Sequence, residues 1–221
     1  MNEAHPAAGE VIAALGLEPH PEGGFFRETF RAVDLVEAVQ GRRVSATSIA
    51  FLLTVDRPSR FHRLLSDELW VHQGGAPLEL WLLEPDGSAR RVLLGLGSGD
   101  PRLAARPTPR PTPRSTARST ASRTASPAAR VPAHVWQAAR VVAAPSAPDP
   151  TARDLSAPDP TAREPTALPA LDWSLVTCVV TPGFEYADFE LGRRDVLLAG
   201  WPEMAGIVAE LTGEAAAGRE R

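Results

Sequence analysis

The sequence predicts an all-β barrel or sandwich with short helices at its two ends. Three observations carry that expectation. Several apolar segments, such as Ala46–Thr54 and Glu68–Gln73, are strand-length and bounded by turn residues. Leu78–Gly95 reads as a hairpin whose apolar arms flank Pro85-Asp86-Gly87, good turn chemistry. Helical patterns are confined to the beginning and the end of the chain. Many short strands with turns between them favour a barrel or sandwich over a layered α/β fold.

Taken in order, Ala7–Leu15 forms a short amphipathic helix stopped by Gly16. Strands follow at Phe25–Arg31, Ala46–Thr54, Arg60–Leu65 and Glu68–Gln73. After the hairpin, Ala129–Val142 reads as one late barrel strand. The barrel resumes from Asp172 and runs to Leu191. A final helical segment starts at Pro202, a residue suited to the first helical position, and stops at Gly213.

The composition breaks in the middle. Of 22 prolines, 14 lie between Ser98 and Ala170, with one aromatic, Trp136, so most of that region cannot build a core. RPTP, RSTA and SAPDPTAR each occur twice. Two inserted loops are therefore expected to be disordered: 101–129, rich in Arg, Pro, Ser and Thr, and 144–169, a Pro/Ala-rich repeat. Both insert into a single domain spanning 1–221. Long loops cost little extra closure entropy, so the barrel tolerates them. The first loop is basic, but no aromatics interleave to stack on bases. It reads as a repeat expansion at the barrel rim rather than a nucleic-acid tether.

The net charge of −4 gives no global basic face, which argues against a nucleic-acid partner. The one cysteine, Cys178, sits in an apolar run and reads as a buried structural thiol. A lone cysteine suits a reducing compartment. No signal-peptide pattern and no membrane-length apolar run are present. The expectation is a cytoplasmic protein with neither a membrane nor a nucleic acid as partner.

The chemistry concentrates between Ser59 and Leu80. In a strand, residues two apart share a face. His62 and Leu64 then point the same way, and Glu68, Trp70 and His72 share a face on the next strand. A histidine and a carboxylate facing one interior can begin a metal site or an acid/base pair.

His62, Glu68 and Gly75 fit the first motif of the cupins, small β-barrels, with Leu64 where a second histidine would stand. Four blocks in order sharpen the resemblance: Pro19–Ala32 (PHPEGGFFRETFRA), Phe61–Trp70 (FHRLLSDELW), Val131–Ala139 (VPAHVWQAA) and Thr181–Arg194 (TPGFEYADFELGRR). Together they resemble one poorly characterised cupin family of the RmlC-like jelly-roll type. The resemblance implies an all-β, cupin-type β-barrel or jelly roll, and a homodimer.

It also implies a site. Cupins use a second motif whose last histidine aligns with Gln137, and whose glycine aligns with His134. The family pattern carries leucine and glutamine at the two missing histidine places. His62, Glu68 and Gln137 are then the candidate metal set. It is a poor one, because zinc and iron favour imidazole, thiolate or carboxylate. The expectation is no cofactor, or a weakly bound divalent metal. His72 lies roughly 13 Å along the strand from Glu68, too far to replace a ligand. His134 reads as a turn residue at the surface.

Without a metal, His62 and Glu68 are the candidate catalytic pair for proton transfer, as in related sugar-nucleotide epimerases. Phe51, Trp70, Trp136, Gln137 and Phe184 are candidate ligand contacts. The leading expectation is a small-molecule-binding cupin that recognises a polar cyclic or carboxylated metabolite. The alternative is an isomerase, epimerase or weakly metallated oxygenase built on His62 and Glu68. In the PEGGFFRET block, Gly23-Gly24 permits a tight turn, and Arg27 and Glu28 face opposite ways. That block reads as a structural strand at a dimer edge.

Overall fold

A computed structural model describes residues 6–95, 125–142 and 171–213. The predicted loops 144–169 and most of 101–129 lie outside the described residues.

The chain opens with α1 (Ala8–Leu15), stopped by Gly16 at φ 60° as its position predicts. Then come β1 (Glu18–Pro19), β2 (Phe25–Arg31), β3 (Leu35–Ala38), β4 (Gly41–Val44) and β5 (Thr47–Thr54). The next four strands are β6 (Ser59–Arg63), β7 (Asp67–Gly75), β8 (Leu78–Leu83) and β9 (Ala89–Leu94). The last four are β10 (Ala128–Val131), β11 (Trp136–Val141), β12 (Trp173–Thr181) and β13 (Glu190–Leu191). Two short helices, α2 (Arg194–Gly200) and α3 (Ala205–Leu211), close the described chain.

The strands form two facing antiparallel sheets, the jelly roll that the sequence predicts. One sheet has the order β1-β2-β5-β12-β7-β10, and the other β13-β6-β11-β8-β9. Side chains from both meet in one core that contains Phe51, Trp70, Leu80, Leu82, Ala139 and Val176. Each large apolar side chain buried there contributes about 1.5–3 kcal/mol.

The outer faces are covered by helices. On the five-stranded sheet, Phe61 and Trp136 pack under Leu197, Trp201, Val208 and Leu211. On the six-stranded sheet, Leu52 and Trp173 pack under the apolar stripe of α1. These side chains alternate with inward-facing ones, so Phe61 points out where His62 points in, and Trp136 points out where Gln137 points in.

The predicted strand Ala129–Val142 is two strands. β10 pairs with β7 in one sheet, and β11 pairs with β6 and β8 in the other. Between them His134 turns the chain at φ 68°, a conformation that glycine adopts most readily. Residues 125–129, expected within the first loop, belong instead to this ordered stretch: Ser126 bridges Leu94, and β10 starts at Ala128.

The hairpin β3–β4 has no counterpart in the sequence reading. Its side chains are mostly exposed, so it carries no alternating apolar signal. Among the described residues no helix is long and apolar enough to cross a membrane.

The turn at Gly23-Gly24 sets the position of everything before β2. Gly23 has φ 123°, and a Cβ there would lie 2.0 Å from the Pro58 carbonyl oxygen. Gly24 has φ 61°, and a Cβ there would lie 2.5 Å from Leu53 Cδ2 and 2.7 Å from the Leu52 carbonyl oxygen. Only glycine fits this contact. Gly23→Ala is therefore expected to cost roughly 2 kcal/mol or more in chemical denaturation. A loss below that would mean that the turn does not press on the Pro58 backbone.

Candidate functional site

At one end of the barrel the apolar core gives way to a cavity of about 120 Å³. Its floor is polar and buried: His20 and Glu22 from the first turn, His62 from β6 and Glu68 from β7. Its walls carry Phe26, Phe51, Phe184 and Phe189, with Leu64 and Cys178 between them. Glu28, Arg31, Glu185 and Tyr186 stand at the mouth.

The first turn delivers Glu22. The Arg60 N–H donates to the Glu22 carbonyl at 2.9 Å. The Arg60 guanidinium also binds the carbonyl oxygens of Glu22 and Pro21, fastening the turn to β6. In β6, His62 pairs with Gln137 and Ser59 with Ala139, so three steps on one strand face two on the other. This irregularity works like a bulge and lets Ser59 and His62 reach the same side. Ser59 donates its hydroxyl to Glu22 Oε1 at 2.9 Å. His62 Nε2 lies 3.3 Å from Glu22 Oε2.

Proton positions follow from the partners. His62 Nδ1 is 2.8 Å from the Arg60 carbonyl, which only accepts, so Nδ1 carries a proton. Burial lowers the His62 pKa, with Glu68 opposing it, so the ring is neutral and Nε2 is a bare acceptor. Burial pushes the Glu22 carboxyl up to about 8, against the pull of Ser59 and Arg60. Glu22 is then an acid near neutrality, and its Oε2–H donates to His62 Nε2. The contact has salt-bridge distance but is a neutral hydrogen bond. His20 also stays neutral: burial and the neighbouring His62 lower it to about 4, and its Nδ1 accepts the Glu22 N–H at 3.3 Å.

Glu68 completes the floor. Burial raises its pKa, with His62 opposing the shift and Glu22 reinforcing it. Its Oε2 accepts from Gln137 Nε2 at 2.5 Å. Cys178 is buried as its apolar run predicts, and burial pushes its thiol well above the usual range.

Segment 183–189 closes over the cavity. The Gly183 N–H donates to the Val44 carbonyl, and the Phe184 N–H to Thr47 Oγ1. Arg43 on β4 holds Asp188 at 2.8 Å, and both side chains are largely buried. Phe189 then stacks on His62, with centroids 5.5 Å apart.

Of the sequence-predicted site residues, His62, Glu68, Phe51 and Phe184 face this cavity. Trp70, Trp136 and Gln137 do not line it. Trp70 lies deeper on β7, fully buried in the core, and donates its indole N–H to Gln137 Oε1 at 2.9 Å. Trp136 points outward onto the terminal helices, under the Arg63 guanidinium. Gln137 points inward, but both ends of its amide are engaged, by Trp70 and by Glu68. His72 is buried, against the Ala76 carbonyl. His134 is exposed, as predicted.

Glu22 and His20 were missed as site residues because the Glu-Gly-Gly turn explained itself as backbone geometry. The available signal was a glutamate and a histidine packed against a turn that allows close approach. Of the pair Arg27 and Glu28, Glu28 faces the cavity.

A model of the family described as "Cupin superfamily (DUF985)" matches residues 9–192. The chain belongs to this cupin family. A solved structure described as a hypothetical protein from Leishmania major is 28% identical, over 95% of this chain and 100% of that one, with a TM-score of 0.69. A protein from Shewanella oneidensis is 26% identical, over 96% of this chain and 100% of that one, with a TM-score of 0.66. No curated protein matches the chain.

Cupins often bind a metal, so the donors in this one bear on that chemistry. Leu64 offers none. The Gln137 oxygen accepts from Trp70, and its NH₂ faces Glu68. Among the described residues no group of three or more His, Cys, Asp or Glu is arranged to hold a metal ion. The donor set of His62, Glu68 and Gln137 does not fit a zinc or iron centre.

Glu22→Gln preserves the geometry of the protonated acid, since its amide can accept from Ser59 and donate to His62. Glu22 has a raised folded pKa, so its stabilising neutral form is complete below about 4.5 and lost as pH rises through about 8. Glu22→Gln should match the parent in thermal unfolding at pH 4 and exceed it by several degrees at pH 8.5. A constant difference across that range would contradict the neutral assignment.

Proposed function

We propose that this cupin binds a small, ring-sized polar molecule in the barrel cavity without a resident metal ion. The observation that carries this reading is the buried floor of Glu22, His62 and Glu68 beneath aromatic walls. A cavity of about 120 Å³ suits a single ring, since an engineered apolar cavity of about 150 Å³ binds benzene. Aromatic walls supply contact area, and a few convergent polar groups fix orientation.

A second reading is favoured by one contact. The Glu22–His62 hydrogen bond places an exchangeable proton between an acid and a bare imidazole nitrogen. Such a pair can relay a proton to or from a bound substrate, as an isomerase or epimerase requires. In this reading Glu22 exchanges the proton with the substrate, and His62 Nε2, whose ring is anchored through Nδ1–H on the Arg60 carbonyl, accepts and returns it.

Native mass spectrometry of the purified protein would identify a co-purifying ligand. The His62→Ala/Glu68→Ala variant should lose that ligand while retaining its circular dichroism spectrum. Retention of the ligand in a folded double variant would sink the binding reading. For the proton-transfer reading, incubating the identified ligand in D₂O should label one carbon with the parent protein and not with His62→Ala. No label with the parent would reduce the role to binding.

A further inference from the structure

Carboxyl groups outnumber arginines around the cavity. Glu22 and Glu68 lie on the floor, and Glu28 and Glu185 at the mouth. Arg31 is the arginine that lines the cavity with them. It is already engaged, 2.8 Å from Glu28 and 3.5 Å from Glu185. Arg60 stands behind Glu22, but its guanidinium is turned to the backbone carbonyls of the turn. Arg43 is held by Asp188. Among the described lining residues, no unengaged cation is left to meet a carboxylate or phosphate.

The floor is equally unsuited to an anion. Besides His20 and His62, both held neutral, its buried groups present carboxyl oxygens, and a negative ligand beside them would sit in a low-dielectric space without a counter-charge. The walls point the other way. Phe26, Phe51, Phe184 and Phe189 line the space, and an aromatic ring attracts a cation placed over its face within about 6 Å.

We propose that the cavity takes a small organic ammonium or amidinium carried on a single ring, and discriminates against carboxylates and phosphates. This rests on the small-molecule reading above and narrows it. The cationic end donates to Glu22 and Glu68, and the ring lies among the phenylalanines. Burial holds both carboxyls up in the empty cavity, so an incoming cation supplies the counter-charge that lets one ionise and release its proton to solvent. Glu28 and Glu185 draw the cation to the mouth. The charge balance argues against the carboxylated ligand expected from the sequence.

The test uses three probes of nearly equal shape: benzylamine, benzyl alcohol and benzoate. Each is titrated into the full-length protein at pH 7 and fixed ionic strength, followed by calorimetry and ligand-observed NMR. Benzylamine should bind about tenfold more tightly than benzyl alcohol, and benzoate should not compete. Glu185→Gln changes only the exposed mouth. It should weaken benzylamine by about threefold and leave benzyl alcohol unchanged.

Benzoate binding as tightly as benzylamine would overturn the charge assignment and leave the small-molecule reading standing. So would benzylamine binding no better than benzyl alcohol. Binding of none of the three would also overturn it, and the co-purified ligand would then decide the broader reading alone.

Discussion

A carboxyl group removed from water must either be neutralised or be paired. The site of this cupin is organised around that constraint at Glu22. The carboxyl is carried on a turn that only glycines can make, because Gly23 presses on the Pro58 backbone. Arg60 fastens the same turn through carbonyl oxygens and leaves the carboxyl itself free to face inward. Ser59 and His62, brought to one side by a strand irregularity, then take its two oxygens. The result is an acid held as an acid, against an imidazole held neutral.

The rest of the barrel supports that arrangement. The apolar core fills the space between the sheets and stops at the level of Trp70 and Phe51. Trp70 extends the order outward by fixing the Gln137 amide, which in turn fixes Glu68. This chain of contacts engages both ends of the Gln137 amide. Its oxygen serves the tryptophan and its nitrogen serves the glutamate. At the mouth, the Arg43–Asp188 pair holds segment 183–189 against the hairpin and so keeps Phe184 and Phe189 over the floor.

Much of the fold was legible in the sequence because it rests on local rules. β2 spans the predicted residues, α1 stops at its glycine, and the Pro85-Asp86-Gly87 turn joins β8 to β9. Two features were not legible. The split of 128–141 into strands of different sheets depends on a turn made by His134, a residue that does not advertise positive φ. The β3–β4 hairpin is largely exposed, so it leaves no periodic trace.

The site was legible in half. His62 and Glu68 declare themselves by spacing on adjacent strands. Glu22 is brought in from 40 residues earlier by tertiary contact, and no local pattern could place it beside His62. Trp136 packs outward while Gln137 points in, and a strand hides which of two neighbours faces inward until its partner is known.

The site depends on the protonation of its floor. That protonation is tested most directly by a carboxyl-detected NMR titration of protein labelled with ¹³C at the glutamate side-chain carboxyl, with Glu22→Gln used to assign the resonance. The account predicts that the Glu22 carboxyl titrates near pH 8 and that the His62 ring stays in its Nδ1–H form at neutral pH. A Glu22 carboxyl titrating near 4.5, beside a charged His62, would show an ion pair in place of the neutral contact and would contradict it.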